Sequence, residues 1–264
     1  MVNTNSPIGF FDSGVGGTSI WKEVITRLPK EHTIYLSDSE NAPYGEKSKD
    51  QIIALCKKNT EFLLQQNCKI IVVACNTATT NAIDYLRSNY NIPFIGIEPA
   101  IKPAAMNSKT KKIAILATKG TINSTLFEKT SSSINKDIQV QETIGKGLVE
   151  LIEDGKLHSK EMTSLLTYYL KPMVTNNIDS LVLGCTHYPY LIPQIKKIIG
   201  DQIQVIDSGE AVARQTQVIL NKHHIANTYN NPHHIIYTNK DTAILQNLLS
   251  KYIPKNLRIL KAKF

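Results

Sequence analysis

The 264-residue sequence has only four cysteines, Cys56, Cys68, Cys75 and Cys185, and no two of them are close neighbours. The absence of C-x-x-C and of short metal-ligand spacings argues against a disulfide framework, a thiol-redox motif and a zinc site. No apolar run reaches the roughly 20 residues that a membrane span needs. The start, MVNTNSPIGFFDSG, lacks the basic and apolar regions of an export leader, so a cytoplasmic protein with no membrane partner is expected. Charge of one sign is not concentrated either. The net charge is +8, but the lysines are scattered apart from short groups such as Lys109, Lys111 and Lys112. Without an aromatic stacking motif, a basic nucleic-acid-binding protein ranks low, and no specific nucleic-acid partner is expected.

What is present is an ordinary globular composition, 42% apolar and 20% charged, with length for one or two domains. Short β-branched runs alternate with helical patterns: PIGFFD, TIYLSD, KIIVVAC, PFIGI, KIAILAT, IQVQE, SLVLGC and IQVID. That alternation predicts parallel sheets covered by helices on both faces. Helical spacing is clearest over 48–66 and 159–170. IIVVACNTATT around Cys75 resembles SLVLGCTHYPY around Cys185, and FFDSG at 10–14 resembles VIDSG at 205–209. Two similar units facing one another would place a ligand cleft between them.

In both cysteine segments an apolar strand ends at the thiol and small polar residues follow, as if opening a helix. A thiol there stands at the carboxyl end of a parallel strand, where open α/β sheets bind ligands, and near helix N-terminal amides that favour thiolate. Cys56 and Cys68 lack this setting and read as small buried hydrophobes. Inversion at an amino-acid α-carbon needs a base on one face and an acid on the other, which two thiols across a cleft supply. The weakly acidic α-hydrogen also demands donors around the carboxylate, and Asn76, Thr77 and Thr186 offer them. No pyridoxal-lysine context is seen, so no cofactor is expected.

Further candidates lie in loops. Asp12-Ser13-Gly14-Val15-Gly16-Gly17-Thr18 departs from a dinucleotide fingerprint at Ser19, and reads as a tight glycine turn that aims Asp12 and Ser13 at the mouth holding Cys75. Backbone amides around Tyr44 and Gly45 suit a carboxylate. Thr118 and Thr121 face a helix start after KIAIL. His187, two residues from Cys185, can tune that thiol or take its proton. The pairs His223-His224 and His233-His234 read as a solvated C-terminal surface.

Taken in order, FDSGVGG, NAPYGEKS, VVACNTATT, ATKGT, LVELIEDG, LVLGCTHYP and IDSGEAVA resemble the glutamate racemase family across nearly the whole chain. The resemblance implies an α/β fold with two doubly wound parallel-sheet domains in pseudo-symmetric arrangement and an interdomain active-site cleft. One domain would comprise 1–98 plus 207–264 and the other 99–206. Cys75 and Cys185 would be the catalytic acid/bases, assisted by Asp12, His187 and Glu153. Asp12, Ser13, Tyr44, Gly45, Asn76, Thr77, Thr118, Thr121, Thr186 and His187 would contact glutamate. A homodimer supplying D-glutamate for peptidoglycan is likewise implied. Glu150 and Tyr190 replace the family's usual proline and leucine, and neither is among these residues. An aspartate or hydantoin racemase would keep both cysteines and alter the carboxylate-binding loops; intact NAPYG and GCTHYP favour glutamate.

Overall fold

A computed structural model describes residues 3–250, 252, 254 and 256–264. In chain order its elements are β1 (Ile8–Asp12), α1 (Thr18–Arg27), β2 (Thr33–Ser37), α2 (Lys49–Gln65), β3 (Ile70–Val73), α3 (Asn76–Asn89), β4 (Phe94–Gly96), α4 (Ile101–Asn107), β5 (Lys112–Ala117), α5 (Lys119–Ile122) and α6 (Thr125–Ser132). There follow β6 (Gln139–Ile144), α7 (Leu148–Glu153), α8 (Lys160–Thr175), β7 (Ser180–Gly184), α9 (Ile192–Ile199), β8 (Gln204–Ile206), α10 (Gly209–Lys222), β9 (His234–Thr238), α11 (Ala243–Leu249) and β10 (Leu257–Lys261). Among the described residues, no helix is long and apolar enough to cross a membrane.

The strands form two wholly parallel sheets, in the orders β10-β9-β2-β1-β3-β4 and β6-β5-β7-β8. These are the parallel sheets that the alternating pattern predicts, in the two α/β domains that the internal echo and the family resemblance imply. The run β2-β1-β3-β4 has the same order as β6-β5-β7-β8, so the domains share a winding. In each, the chain crosses to the other side of its first strand after the second, which opens a crevice at the carboxyl ends of β1 and β3, and of β5 and β7.

Strands β1, β2, β3 and β7 are buried along their whole length, which explains their uninterrupted apolar runs. Alternation still sorts the side chains: Ile8 and Phe10 join a core that continues into the second domain through Leu116 and Leu183, whereas Phe11 packs on the opposite face with Val73 and Ala78. The 48–66 helix is α2, closed at Ser48 by a capping box in which the Gln51 N–H donates to the Ser48 hydroxyl and the Ser48 N–H to Gln51 Oε1. α10 follows the second sheet but packs on α1 of the first, returning the chain for β9 and β10. A buried Lys69–Glu31 pair at 2.6 Å holds this return, since Glu31 Oε1 accepts the Asn227 N–H.

Two readings are corrected here. His234 is not on a solvated surface: it begins β9 beside β2, buried at 4% exposure, with Nδ1 2.8 Å from Thr33 Oγ1 and its ring edge-on to Trp21. The VIDSG echo at 205–209 does open a helix, but it serves the joint between sheets, where the Ser208 hydroxyl donates to the Glu98 carbonyl.

Candidate active site

Cys75 is the N-cap of α3: its backbone is extended, and its Sγ accepts the Ala78 N–H at 3.4 Å. Cys185 directly follows β7, but the chain then forms a 3-10 turn over Tyr188–Leu191 before α9. Matched helix starts were expected. Pro189 and Pro193, which lack an N–H, accompany the tighter turn and set the first turn of α9. Both thiols are buried, at 4% and 7% exposure.

Burial outweighs the helix N-terminus that favours thiolate at Cys75. Desolvation pushes its thiol well above the ordinary range, the Asp12 charge pushes further, and the Ala78 N–H and Ser13 hydroxyl pull back less. A helix terminus contributes only about 0.3–1 kcal/mol in ordinary settings, too little to charge a thiol removed from water. Cys75 Sγ lies 3.7 Å from the Ser13 hydroxyl, and Asp12 Oδ1 lies 3.5 Å from the same hydroxyl. Asp12 Oδ2 accepts the Gly17 N–H at 2.7 Å. Burial raises Asp12 above the usual carboxylate value, partly offset by His187 and this N–H.

The Cys185 side carries more charge. His187 Nδ1 is 3.7 Å from Cys185 Sγ, and Nε2 is 2.6 Å from Glu153 Oε1. Burial alone would lower the imidazole, but its bonds with Cys185 and Glu153 hold it well above the ordinary histidine value. Burial would likewise raise Glu153, yet His187, the Val15 N–H at 2.7 Å and the Ser39 hydroxyl at 2.8 Å hold it below the ordinary value. The Gly16 N–H also approaches Nε2 at 3.3 Å, but a nitrogen that donates to Glu153 has no lone pair to accept it.

The glycine loop has a different cause from the one its sequence suggests. Gly14, Gly16 and Gly17 do not adopt positive φ, so turn geometry does not require them. A Cβ on Gly14 would stand 1.9 Å from Glu153 Oε1, and one on Gly16 2.2 Å from His187 Nδ1. The loop lacks side chains there because the second domain's ion pair lies against its backbone.

The threonines meet across the domains. Thr77 Oγ1 is 2.8 Å from Thr118 Oγ1 and 3.3 Å from Thr121 Oγ1, and Thr118 and Thr121 are 3.0 Å apart. Gly45 packs on Thr118, and its own Cβ would come within 2.8 Å of Thr118 Cβ. The Tyr44 hydroxyl donates to Asp38, and Tyr44 and Gly45 both line the cavity.

A cavity of about 240 Å³ joins these parts. Cys75, Cys185, Ser13, Tyr44, Gly45, Asn76, Thr77, Thr118, Thr186 and His187 line it, with Pro43 and Val149, while Asp12, Glu153 and Thr121 stand behind the wall, all buried. The Asn76 side-chain nitrogen is buried with no hydrogen-bond partner among the described residues. Such an orphan donor costs about 1–3 kcal/mol until an acceptor reaches it. Sequence reading missed Ser39, which holds Glu153, and Asn239, whose Nδ2 donates to Asp38 behind Tyr44.

A model of the family described as Asp/Glu/Hydantoin racemase matches residues 14–216. A glutamate racemase of Ralstonia pickettii is 46% identical over 79% of this chain and 74% of its own length. Among solved structures, a glutamate racemase isoform of Bacillus anthracis superposes with TM-score 0.86 at 32% identity, covering 99% of this chain and 98% of that one. Escherichia coli glutamate racemase, in complex with L-glutamate and the activator UDP-MurNAc-ala, superposes at 0.85 with 30% identity, covering 98% and 99%.

Proposed function

The chain belongs to the Asp/Glu/hydantoin racemase family, and from that premise we propose that it interconverts L- and D-glutamate without a cofactor, through Cys75 and Cys185 on opposite faces of the α-carbon. The observation that carries this reading is the pair of thiols lining one small cavity from the carboxyl ends of corresponding strands, β3 and β7.

The two sides do different work. His187 donates Nε2–H to Glu153, so in its neutral form Nδ1 is free to take the Cys185 proton, leaving an imidazolium beside a thiolate. Cys75, kept neutral by burial, is the acid that delivers a proton to the other face. After one turnover the proton inventory is reversed, and the enzyme is set for the opposite enantiomer. The substrate ammonium beside Asp12 and Ser13 offsets the buried negative charge when Cys75 becomes the base. Asn76, Thr186, the amides at Tyr44 and Gly45, and the Thr77, Thr118 and Thr121 hydroxyls receive the carboxylates, where carbanion charge must be stabilised.

The domain division we adopt is 1–98 plus 207–264 against 99–206, supported by the strand membership of the two sheets and by the packing of α10 on α1. The reading extends to a cytoplasmic homodimer that feeds D-glutamate to peptidoglycan synthesis and has no specific nucleic-acid partner. It is tested by incubating the protein, without added cofactor, with L-glutamate in deuterium oxide. Inversion with deuterium at the α-carbon supports it. Exchange with aspartate and none with glutamate moves the assignment to the neighbouring activity.

A further inference from the structure

Glu153 is held by three donors from three segments. The Val15 N–H and His187 Nε2–H occupy Oε1, at 2.7 and 2.6 Å, and the Ser39 hydroxyl occupies Oε2 at 2.8 Å. Ser39 belongs to the first domain, in the turn just after β2, and is 4% exposed. Its other hydroxyl neighbour is Ser37 Oγ, 3.0 Å away. An ionised carboxylate only accepts, so Ser39 must donate to Glu153 and can only accept from Ser37. The chain of bonds therefore runs one way from Ser37 through Ser39 to Glu153, where it meets the opposing donation from His187. With Oε2 satisfied by Ser39, Oε1 is left to fix the Nε2–H tautomer, and Nδ1 faces Cys185.

We propose that Ser39 is a positioning residue for the Cys185 half of the reaction, holding Glu153 across the domain junction so that His187 keeps Nδ1 aimed at the Cys185 thiol. The proposal rests on the two-thiol reading above. Its distinctive consequence is one-sidedness. Cys75 is surrounded by Ser13, Asp12 and the Ala78 N–H, and none of these bonds passes through Ser39.

The test uses α-proton exchange in deuterium oxide, followed separately for L- and D-glutamate. In a Cys75→Ala background only Cys185 exchanges, and adding Ser39→Ala slows that exchange roughly 10- to 100-fold, the effect of losing a hydrogen bond to a charged group. In a Cys185→Ala background the same substitution leaves exchange of the opposite enantiomer within about twofold. Ser39→Thr, which keeps the hydroxyl, restores the first rate. Equal slowing in both backgrounds, or slowing in neither, overturns the proposal. If neither single-cysteine parent exchanges glutamate, the two-thiol reading itself fails. The otherwise wild-type Ser39→Ala protein then decides on Ser39: removing a donor from an ionised carboxylate moves the acid limb of the kcat/KM profile to higher pH. An unmoved limb overturns the positioning role.

Discussion

Gly14 and Glu153 belong to different domains, yet a Cβ added to Gly14 would stand 1.9 Å from Glu153 Oε1. Neither side can retreat cheaply, because Glu153 is buried and tied to Val15, Ser39 and His187. Gly14→Ala is therefore expected to destabilise the fold by about 1–3 kcal/mol through overpacking. It is also expected to lower kcat about 100-fold as Glu153 leaves His187. Urea midpoints and initial rates check both; full activity in Gly14→Ala would remove the packing explanation of the glycine loop.

Replacing Glu153 by Gln keeps the shape and removes the charge. His187 then loses one of the two partners that hold it charged, so the alkaline limb of kcat/KM is expected at lower pH than in the wild type. The stability signs differ for the two groups. Glu153, held low, contributes above its ordinary 4.5 and loses that contribution as pH falls through its folded value. His187, held high, contributes fully below its ordinary 6.5 and loses that contribution as pH rises through its folded value. The wild type's advantage over Glu153→Gln should thus be largest between about pH 4.5 and 6.5, as measured by denaturant unfolding across pH.

His234 makes an opposite prediction. Burial, aided by His32 and His233, lowers it from 6.5 to about 4. The unfolded chain takes up that proton first, so stability is lost as pH falls from 6.5 towards 4. The loss is about 2–3 kcal/mol. His234→Gln should flatten this part of the stability profile, and an unchanged slope would show that His234 is freely protonated in the folded state.

The loops bearing Cys75, Cys185, Asp12 and Tyr44 were legible because each sits where an apolar parallel strand gives way to polar residues, a junction with a sequence signature. Glu153 was not legible from its own surroundings. LVELIEDG reads as an ordinary amphipathic turn, and donors far away in sequence, among them the Val15 N–H 138 residues off, make Glu153 a buried acceptor. Ser39 was missed for the same reason. β9 and β10 escaped notice because HIIYT and LRILK sit among polar residues, and they join the sheet only where β9 pairs with β2, remote in sequence, and β10 with β9. The thiolate-favouring helix start at Cys75 was visible because its chemistry is local, whereas the burial that outweighs it comes in part from residues remote in sequence, such as Phe11 and Leu36.

The two-thiol account stands or falls on Cys75→Ala and Cys185→Ala, each assayed with both enantiomers of glutamate in deuterium oxide. Each variant should lose racemisation by at least about 10²- to 10⁴-fold, the scale of a general acid or base. Each should still exchange the α-proton of one enantiomer with retention of configuration, Cys75→Ala acting on one and Cys185→Ala on the other. Racemisation surviving in either variant, or both variants exchanging the same enantiomer, would contradict it.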